Sequence, residues 1–518
     1  MNKSLKNILR GSSTIALMTL AAAILGFFIR IMLTRKLSLE DFGLFYAVLA
    51  FLAPVGLLKN LGVNKAVTKF LPEFMVKGEW ENIKESIHWA IIVSIGTSLI
   101  AVSTFFLLAD WLGAVYFNTD KAAPFLKIML LYFLISTLGG VFSAFFNGMK
   151  KPLLLSSRAV LINVLILLWV YLANDLNVIF IAHINIVAEV IVLAFLILMF
   201  FQVFDYFNIS SSMSMSGLKK LFSYGLPATT TPIVNKVFGR LDIVVLTYFK
   251  SLSEVGIYSA AQPFARLFAI IGSSVGKMIF PYSSEVFSLG KKGELKEIIG
   301  QLQRMLLFIL APIAVIFIVF CGDFLLHIFG RQFQEGSLVV RLLVVGGLIH
   351  TLTIINVNVL NGIGHPLKVT KLVALNSSLN LGGNILFIPI WGMGGAAVST
   401  LISNWMMFWG SCLYIKSLVG YRFNWGFLVR ILFSALIMIA VLLTAQLYIA
   451  DNLLILFTVF VPLSFISYLS ISLFLRVIRK VEVQWVIQKL KNILGAPHLS
   501  KNYDDKKLDE TPKRHPIK

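Results

Sequence analysis

The chain has 518 residues, of which 58% are hydrophobic and only 13% are charged. Soluble globular proteins carry about 25% charged residues, so this composition excludes an ordinary soluble enzyme or a string of soluble domains. The formal net charge of +21 would favour a nucleic-acid partner in a soluble chain. Here the basic residues lie at the margins of long apolar runs, as in membrane proteins, so we expect no nucleic-acid partner.

Apolar runs of about 20 residues, the length that a helix needs to cross a bilayer, recur along the chain. The first follows a basic N-terminus, contains Arg30 and is too long for a signal-peptide core, so we interpret it as a retained span. Barrel strands would be much shorter. We expect an all-α polytopic membrane protein with about 14 transmembrane helices, the second of which is short and continues past Lys59. The candidate spans are 12–34, 42–58, 88–109, 125–146, 154–173, 178–201, 224–248, 256–280, 303–321, 338–360, 367–388, 394–415, 428–449 and 453–475.

Lysine and arginine concentrate in alternate connections between these spans. The connection after span 2 carries five lysines between Lys59 and Lys84, and the segment after residue 475 adds eleven basic residues. The opposite loops hold mainly acids, such as Asp110 and Asp175. The positive-inside rule then places both termini in the cytoplasm, in a multi-pass protein of the cell (cytoplasmic or inner) membrane. Residues 476–518 are predicted to form a cytoplasmic amphipathic and disordered tail.

Blocks of the sequence recur at nearly one offset, which indicates an internal duplication. The first block is displaced by 213 residues and the second by 214. The matches pair Gly26, Leu33-Thr34, Ser38-Leu39 and Gly43 with Gly239, Leu246-Thr247, Ser251-Leu252 and Gly256, and Asn147-Gly148 and Pro152-Leu153 with Asn361-Gly362 and Pro366-Leu367. A shorter match pairs Lys77-Gly78-Glu79 with Lys292-Gly293-Glu294.

Each copy of the duplicated unit would hold six spans, and an even number makes the two copies parallel. We therefore predict two six-helix bundles related by a parallel internal repeat, 1–210 and 211–423. Two appended helices in 424–475 and the tail 476–518 would follow. Ligand sites in transporters built from repeats lie between the repeats.

The stretch from Lys236 to Lys277 places five ionisable residues in two neighbouring spans. A charge at the centre of a membrane helix costs about 2.5–3.5 kcal/mol on insertion scales, so such residues mark a functional site by default. Span 8 is predicted to line a cavity, because one helical face within about 60° collects its polar residues. These are Ser259, Gln262, Arg266, Ser273 and Lys277, the last of which either lines the cavity or anchors the cytoplasmic end.

Spans 1, 6 and 7 contribute the other charges. Lys236 and Arg240 are four residues apart in span 7 and so would share a helical face. Asp242 would neutralise an arginine, which is the favoured interpretation, or take part in ion coupling. Arg30 in span 1 would line the cavity or snorkel to the outer interface. Glu189 in span 6 is a second central acid, for which a proton-relay role is not favoured.

Several segments resemble the multidrug/oligosaccharidyl-lipid/polysaccharide (MOP) exporter superfamily, and most closely its polysaccharide-biosynthesis flippases of lipid-linked oligosaccharides. They are Leu39-Glu40-Asp41-Phe42-Gly43, its copy Ser253-Glu254-Val255-Gly256-Ile257-Tyr258, Asn361-Gly362-Ile363-Gly364-His365-Pro366 and Trp391-Gly392-Met393-Gly394-Gly395-Ala396-Ala397. The resemblance, which covers residues 5–475, also includes the six, six and two arrangement of spans. It implies an alternating-access bundle with a V-shaped cavity, whose cations meet an isoprenoid diphosphate in the flippases.

The central bases Arg30, Lys236, Arg240 and Arg266 outnumber the central acids, which favours an anionic ligand. Arginine suits phosphate because its planar fork donates two parallel hydrogen bonds. We therefore expect a flippase that translocates a polyprenyl-diphosphate-linked oligosaccharide from the cytoplasmic to the outer leaflet, for surface polysaccharide or glycoconjugate assembly. A cation-coupled multidrug or metabolite antiporter and a peptidoglycan lipid-intermediate flippase remain alternatives.

An enzyme is not expected, because the outer loops are too short to hold a catalytic domain. No metal or resident cofactor is expected, and coupling to H+, Na+ or the membrane potential is left open. The expected partners are the lipid-linked oligosaccharide, membrane lipids, and a polysaccharide polymerase or glycosyltransferases. The chain itself is expected to be a monomer.

Overall fold

A computed structural model describes residues 3–56, 59–210, 212–449, 456–475 and 477, and side chains within 14–56, 59–210, 212–228, 239–447, 458–475 and 477. Most of these residues are helical, and none of them lies in a strand. Ten of the helices described are long and apolar enough to cross a membrane. Helices satisfy their backbone hydrogen bonds internally, which a chain in lipid requires. The predicted all-α polytopic membrane fold is confirmed.

The helices follow the predicted spans in order. They are α1 (Lys3–Lys36), α2 (Leu39–Val55), α3 (Val63–Lys77), α4 (Trp80–Leu107), α5 (Ala109–Trp111), α6 (Ala122–Gly148), α7 (Pro152–Leu172), α8 (Val178–Val203), α9 (Met215–Phe238), α10 (Leu241–Phe249), α11 (Leu252–Ser288), α12 (Lys292–Val319), α13 (Cys321–Phe324), α14 (Ser337–Gly362), α15 (Pro366–Val419), α16 (Trp425–Ile449) and α17 (Val461–Phe474). Short π turns at Leu112–Tyr116 and Leu325–Phe329 and a 3₁₀ turn at Arg331–Gly336 lie in the connections.

The long element α15 contains two predicted spans. Its 54 residues would extend about 80 Å as one helix, against a hydrocarbon core of about 30 Å. The element breaks at Gly392, whose φ of 55° and ψ of −134° are not helical. The two arms then pack together, because Asn380 donates to Thr400 Oγ1 at 3.2 Å and Ser399 donates to the Asn380 carbonyl at 2.8 Å. Spans 11 and 12 are therefore a tight hairpin.

Two predicted spans are interrupted. Span 2 continues beyond Lys59 as predicted, but only after a break at which Leu61 and Gly62 have φ values of 43° and 86°. Span 7 breaks between Phe238, the last residue of α9, and Leu241, the first of α10. The prediction of one continuous helix over 224–248 is therefore wrong.

The first block of the repeat forms a reciprocal contact between its two copies. A Cβ atom on Gly43 would lie 1.8 Å from the carbonyl oxygen of Leu252, and one on Gly256 would lie 2.9 Å from that of Leu39. Both pairs are matched positions of the repeat at the 213-residue offset. Such a mutual contact is what a two-fold axis between two equivalent units produces. The start of α2 thus crosses the start of α11 at backbone distance, where only glycine fits.

Aromatic residues pack around this crossing. Phe42 contacts Phe333 edge to face with ring centroids 5.5 Å apart, and Phe329 lies between Phe333 and Phe27 at 6.1 and 6.2 Å. Phe42, Phe329 and Phe333 are fully buried. Edge-to-face pairs add about 0.5–1.5 kcal/mol each beyond area burial. The two copies are therefore held firmly together at this end.

The shortest of the sequence matches is out of register. Gly78 follows α3 with a φ of 72°, and the glycine with the same φ in the second copy is Gly290, two residues after the end of α11. Gly293, the predicted counterpart, lies inside α12. A left-handed glycine ends both helices because its missing Cβ allows that conformation.

The chain forms two compact units, Met1–Phe423 and Asn424–Lys518. In the second unit, α16 and α17 pack against each other. The division of the first unit into bundles at 210/211 stays a prediction. The predicted tail, 476–518, lies outside the described residues apart from Val477.

Candidate functional site

Three arginines from distant parts of the sequence lie near one another inside the first unit. Arg30 is in the last third of α1, Arg240 occupies the junction of α9 and α10, and Arg266 is in α11. Arg30 donates to the Ser259 carbonyl, Arg266 donates to Gln262 one turn further along α11, and Gln262 donates to Asp242, two residues after Arg240. None takes part in the ion pairs found among the described residues. The structure therefore brings three of the four predicted ligand-binding cations into one cluster, which we call the arginine cluster.

Arg30 joins the two copies of the repeat. Its guanidinium carbon lies 4.4 Å from the centroid of the Tyr46 ring, and Nη1 donates to the backbone carbonyl of Ser259. Tyr46 and Ser259 are themselves matched positions of the repeat. Arg30 therefore points into the bundle close to the two-fold axis. It does not snorkel to an interface.

Asp242 accepts hydrogen bonds from neutral donors instead of pairing directly with an arginine. Tyr258 Oη and Gln262 Nε2 donate to its Oδ2 at 2.7 and 3.1 Å, and the amide of Ile243 donates to its Oδ1 at 2.9 Å. Gln262 Oε1 in turn accepts from Arg266 Nη2 at 2.9 Å. Asp242 is thus linked to Arg266 through one amide, and it sits at the start of α10, where the helix dipole favours a negative charge.

The polar stripe of α11 divides into parts with different surroundings. Ser259 is 0% exposed, so its side chain does not face an open cavity in this conformation. Gln262 is buried in the network, whereas Arg266 is exposed. Ser273 Oγ donates to the carbonyl of Ile270 within its own helix. Lys277 is exposed and lies eleven residues, or about 16 Å along the axis, beyond Arg266.

Span 7 requires one correction to the predicted geometry. Because the helix breaks before Arg240, Lys236 and Arg240 do not lie on one continuous helical face. The side chain of Lys236 lies outside the described residues. Arg240 instead occupies the junction, with a non-helical φ of −137°.

A family model described as polysaccharide biosynthesis protein matches residues 8–287, slightly more than half of the chain. The chain belongs to this family. A membrane protein of Methanocaldococcus jannaschii, itself uncharacterized, is 26% identical over 486 residues, which cover 90% of this chain and 96% of the relative. A probable low-salt glycan biosynthesis flippase of Haloferax volcanii is 23% identical over 283 residues, 54% of this chain and 60% of the flippase.

Solved structures show the same fold. A lipid II flippase in an inward closed conformation matches with a TM-score of 0.69 at 14% identity, over 89% of this chain and 98% of that one. An inward-facing multidrug resistance transporter of the MATE family and MOP superfamily matches with a TM-score of 0.64 at 14% identity, over 77% and 94%. The predicted family is confirmed by the family model, and the predicted fold by its likeness to these flippase and multidrug-transporter structures.

The first half of the chain contains a charged cluster that the sequence pattern did not predict. Arg158 of α7 pairs with Glu189 of α8 at 2.6 Å and also donates to the Ser136 carbonyl at 3.0 Å. Lys59, in the break of span 2, donates to Ser136 Oγ at 2.6 Å. Glu189 is 0% exposed. A Cβ on Gly139 would lie 2.7 Å from both Arg158 Nε and Glu189 Oε1, so the glycine leaves room for the pair.

Two aromatic residues and one ion pair were therefore missed. Tyr46 and Tyr258 lie just beyond Gly43 and Gly256, but at the 213-residue offset they match Ser259 and Phe45, so the repeat does not single them out. The distribution of basic residues places Arg158 at the cytoplasmic margin near the start of span 5, whereas its side chain pairs with the buried Glu189 inside the helix bundle. Within the described part of the chain, no group of three or more histidine, cysteine, aspartate or glutamate side chains could hold a metal ion.

Proposed function

We propose that this polysaccharide biosynthesis protein is a flippase that moves a polyprenyl-diphosphate-linked oligosaccharide from the cytoplasmic to the outer leaflet. The observation that carries the proposal is the arginine cluster, three guanidinium groups gathered around one stretch of α11 with no acidic ion-pair partner among the described residues. Like charges brought together in the low-dielectric interior of a protein repel one another, which costs free energy. An anionic ligand between the arginines removes this cost.

The charge of the cluster fits a diphosphate. Three guanidinium groups and the carboxylate of Asp242 sum to a formal charge of +2, which two phosphate groups of a diphosphate diester balance. Asp242 is satisfied by Tyr258 and Gln262, so it leaves most guanidinium donors available. Arginine forks bind phosphate oxygens in pairs, with fixed geometry.

The position of Arg30 suggests how binding is linked to movement. Its Nη1 donates from α1 to the Ser259 carbonyl on α11, so one guanidinium bridges the two copies. A phosphate that recruits Arg30 would compete with that carbonyl and loosen the contact. The copies could then rock apart while the polyprenyl tail stays in the bilayer, as alternating access requires.

The remaining features of the proposal follow from the charge distribution and the family. The protein would act in the cytoplasmic or inner cell membrane with both termini in the cytoplasm. It would work as a monomer beside glycosyltransferases or a polysaccharide polymerase. It would need no resident cofactor, with H+, Na+ or the membrane potential as the energy source.

A peptidoglycan lipid-intermediate flippase is the second candidate, because it also handles a lipid diphosphate and the lipid II flippase shares the fold. A cation-coupled antiporter is less well supported. Such a transporter would place acids in its cavity, whereas Asp242 is outnumbered three to one in this cluster.

The experiment is a flipping assay with the full-length protein in liposomes that contain fluorescent polyprenyl-diphosphate oligosaccharides or lipid II. We expect Arg240→Gln and Arg266→Gln each to lower the flipping rate at least about tenfold, since hydrogen bonds to charged groups contribute about 1.5–3 kcal/mol. Lys277→Gln, on the same helix as Arg266, should stay near the parent rate. Full transport by the Arg240→Ala, Arg266→Ala double variant would refute the site, and preference for lipid II would select the second candidate.

A further inference from the structure

A cleft lies apart from the arginine cluster, where the two copies of the repeat meet. It has a volume of about 580 Å³ and is lined by the start of α2, residues 115–119 and 121, and residues 247–252. Small-molecule sites typically have volumes of about 300–1,000 Å³. The positive-inside distribution predicts that this end of the molecule is external. Both copies contribute walls, beside the crossing of Gly43 and Leu252.

One wall of the cleft is aromatic and fixed. Tyr116 and Tyr248 stack with ring centroids 6.3 Å apart and an interplanar angle of 26°. Tyr116 Oη donates to the carbonyl of Val244 at 2.7 Å, which ties the first half of the chain to α10. Tyr248 is 59% exposed and Phe249 is 41% exposed. The stack therefore presents aromatic surface at the mouth of the cleft.

The polar wall is electrically balanced. Asp41 pairs with Lys121 at 2.9 Å, and Glu40 and Lys250 supply one further charge of each sign. Asn118 adds an amide in a left-handed turn, with a φ of 51°. Two acids and two bases sum to zero, in contrast to the net positive arginine cluster. The cleft therefore suits a neutral ligand with many hydroxyl groups better than a diphosphate.

We propose that this cleft is a saccharide-binding subsite that holds a sugar unit of the transported glycan on the predicted external face. The inference rests on the proposed function and deepens it. Sugar rings offer an apolar C–H face that packs on an aromatic ring, and their hydroxyl groups bind carboxylates and amides. The Tyr248 ring and the acids of the α2 start supply both kinds of contact within one cleft.

Occupancy of the cleft would also act on the conformation. Its walls belong to both copies, so they separate if the crossing of α2 and α11 opens. A ligand stabilises the state in which its site is complete. A sugar bound here would therefore favour the conformation that is closed at this end. A glycan that has reached the external face would in this way hinder transport back to the cytoplasmic face.

The experiment uses saturation-transfer NMR on the full-length protein in lipid nanodiscs. The probes are free glucose, mannose, galactose, N-acetylglucosamine and glucuronate. We expect transfer to the ring protons of at least one sugar, with the signal lowered at least severalfold in Tyr248→Leu and in Glu40→Gln. Tyr248→Phe should retain it, because the flat ring remains. Arg266→Gln should retain it as well, since that residue belongs to the arginine cluster.

The outcomes separate the two proposals. Transfer to a sugar that survives in Arg266→Gln while flipping is lost supports both. Transfer without any flipping by the parent protein supports the subsite and overturns the flippase. Flipping without transfer to any of the sugars, or equal transfer in Tyr248→Leu, overturns the subsite. In that case Tyr248 and Phe249 belong to the aromatic belt at the membrane interface.

Discussion

Replacing Gly43 by alanine should open the molecule at the crossing of α2 and α11. The added Cβ would lie 1.8 Å from the carbonyl oxygen of Leu252, whereas real Cβ atoms essentially never approach within 3.0 Å of a neighbouring atom. The obstacle is backbone, not the end of a flexible side chain. The two helices must therefore separate by at least about 1.2 Å, because a close-packed interior cannot absorb the overlap.

The size of the effect follows from the cost of overpacking, which is about 1–3 kcal/mol. If the closed conformation bears that cost and the open one does not, the equilibrium shifts about 5- to 150-fold toward the open conformation. Gly256→Ala provides a graded comparison. Its Cβ would lie 2.9 Å from the Leu39 carbonyl, so a smaller shift is expected.

The shift can be measured by thiol labelling at Ser259. This residue is fully buried and its carbonyl accepts from Arg30, so a Ser259→Cys thiol should react only after the copies separate. Cys321→Ala and Cys412→Ala remove the native thiols. Maleimide labelling in nanodiscs should then be about 5- to 150-fold faster with Gly43→Ala than without it.

The matched control is Gly96→Ala, because a Cβ at Gly96 of α4 meets no atom within 4 Å. It should leave the labelling rate unchanged and raise stability by about 0.4–1 kcal/mol, as alanine restricts the unfolded chain. Equal labelling rates for Gly43→Ala and Gly96→Ala would refute the reasoning. Faster labelling with Gly256→Ala than with Gly43→Ala would contradict the order of the two clashes.

Two further predictions concern charged side chains. Glu189→Gln leaves the guanidinium of Arg158 without its carboxylate, and should lower the free energy of unfolding by about 3–5 kcal/mol. The control, Glu73→Gln, breaks an exposed pair and should lower it by less than about 1 kcal/mol. Equal thermal unfolding midpoints for the two variants in detergent would contradict the stabilising role of the buried pair. Tyr46→Leu removes the ring under Arg30, an interaction of about 0.5–2 kcal/mol, and should slow flipping severalfold. Tyr46→Phe keeps the ring and should flip at the parent rate. If Tyr46→Leu also flips at the parent rate, the ring does not position the arginine.

Span positions were predictable because they depend on sums of hydropathy over about 20 residues, which neighbours elsewhere in the chain do not alter. The breaks in spans 2 and 7 were not predictable in this way. A Cβ on Gly225 would lie 2.7 Å from the Gly62 carbonyl, so the first break is also a place where two distant segments cross. Glycine and proline within a run are compatible with either a break or an unbroken membrane helix.

Periodicity predicted which residues share a face of α11 but not what faces them. Gln262 and Arg266 do lie together, as their spacing of four residues indicates. Ser259 has the same orientation and is buried, because α1 places Arg30 against its carbonyl. Arg158 and Glu189 are 31 residues apart and on different helices, a separation for which local patterns carry no information.

The two copies share the glycines of the crossing, Gly43 and Gly256, but they do not share the arginines of the cluster. At the same 213-residue offset, the positions matched to Arg30, Arg240 and Arg266 are Ile243, Phe27 and Ala53. The contacts at the crossing of α2 and α11 thus follow the two-fold axis, whereas no arginine of the cluster has a basic residue at its matched position. The transported ligand has a lipid at one end and a sugar at the other. An asymmetric arginine cluster beside the symmetric crossing of α2 and α11 would therefore bind it in one orientation only.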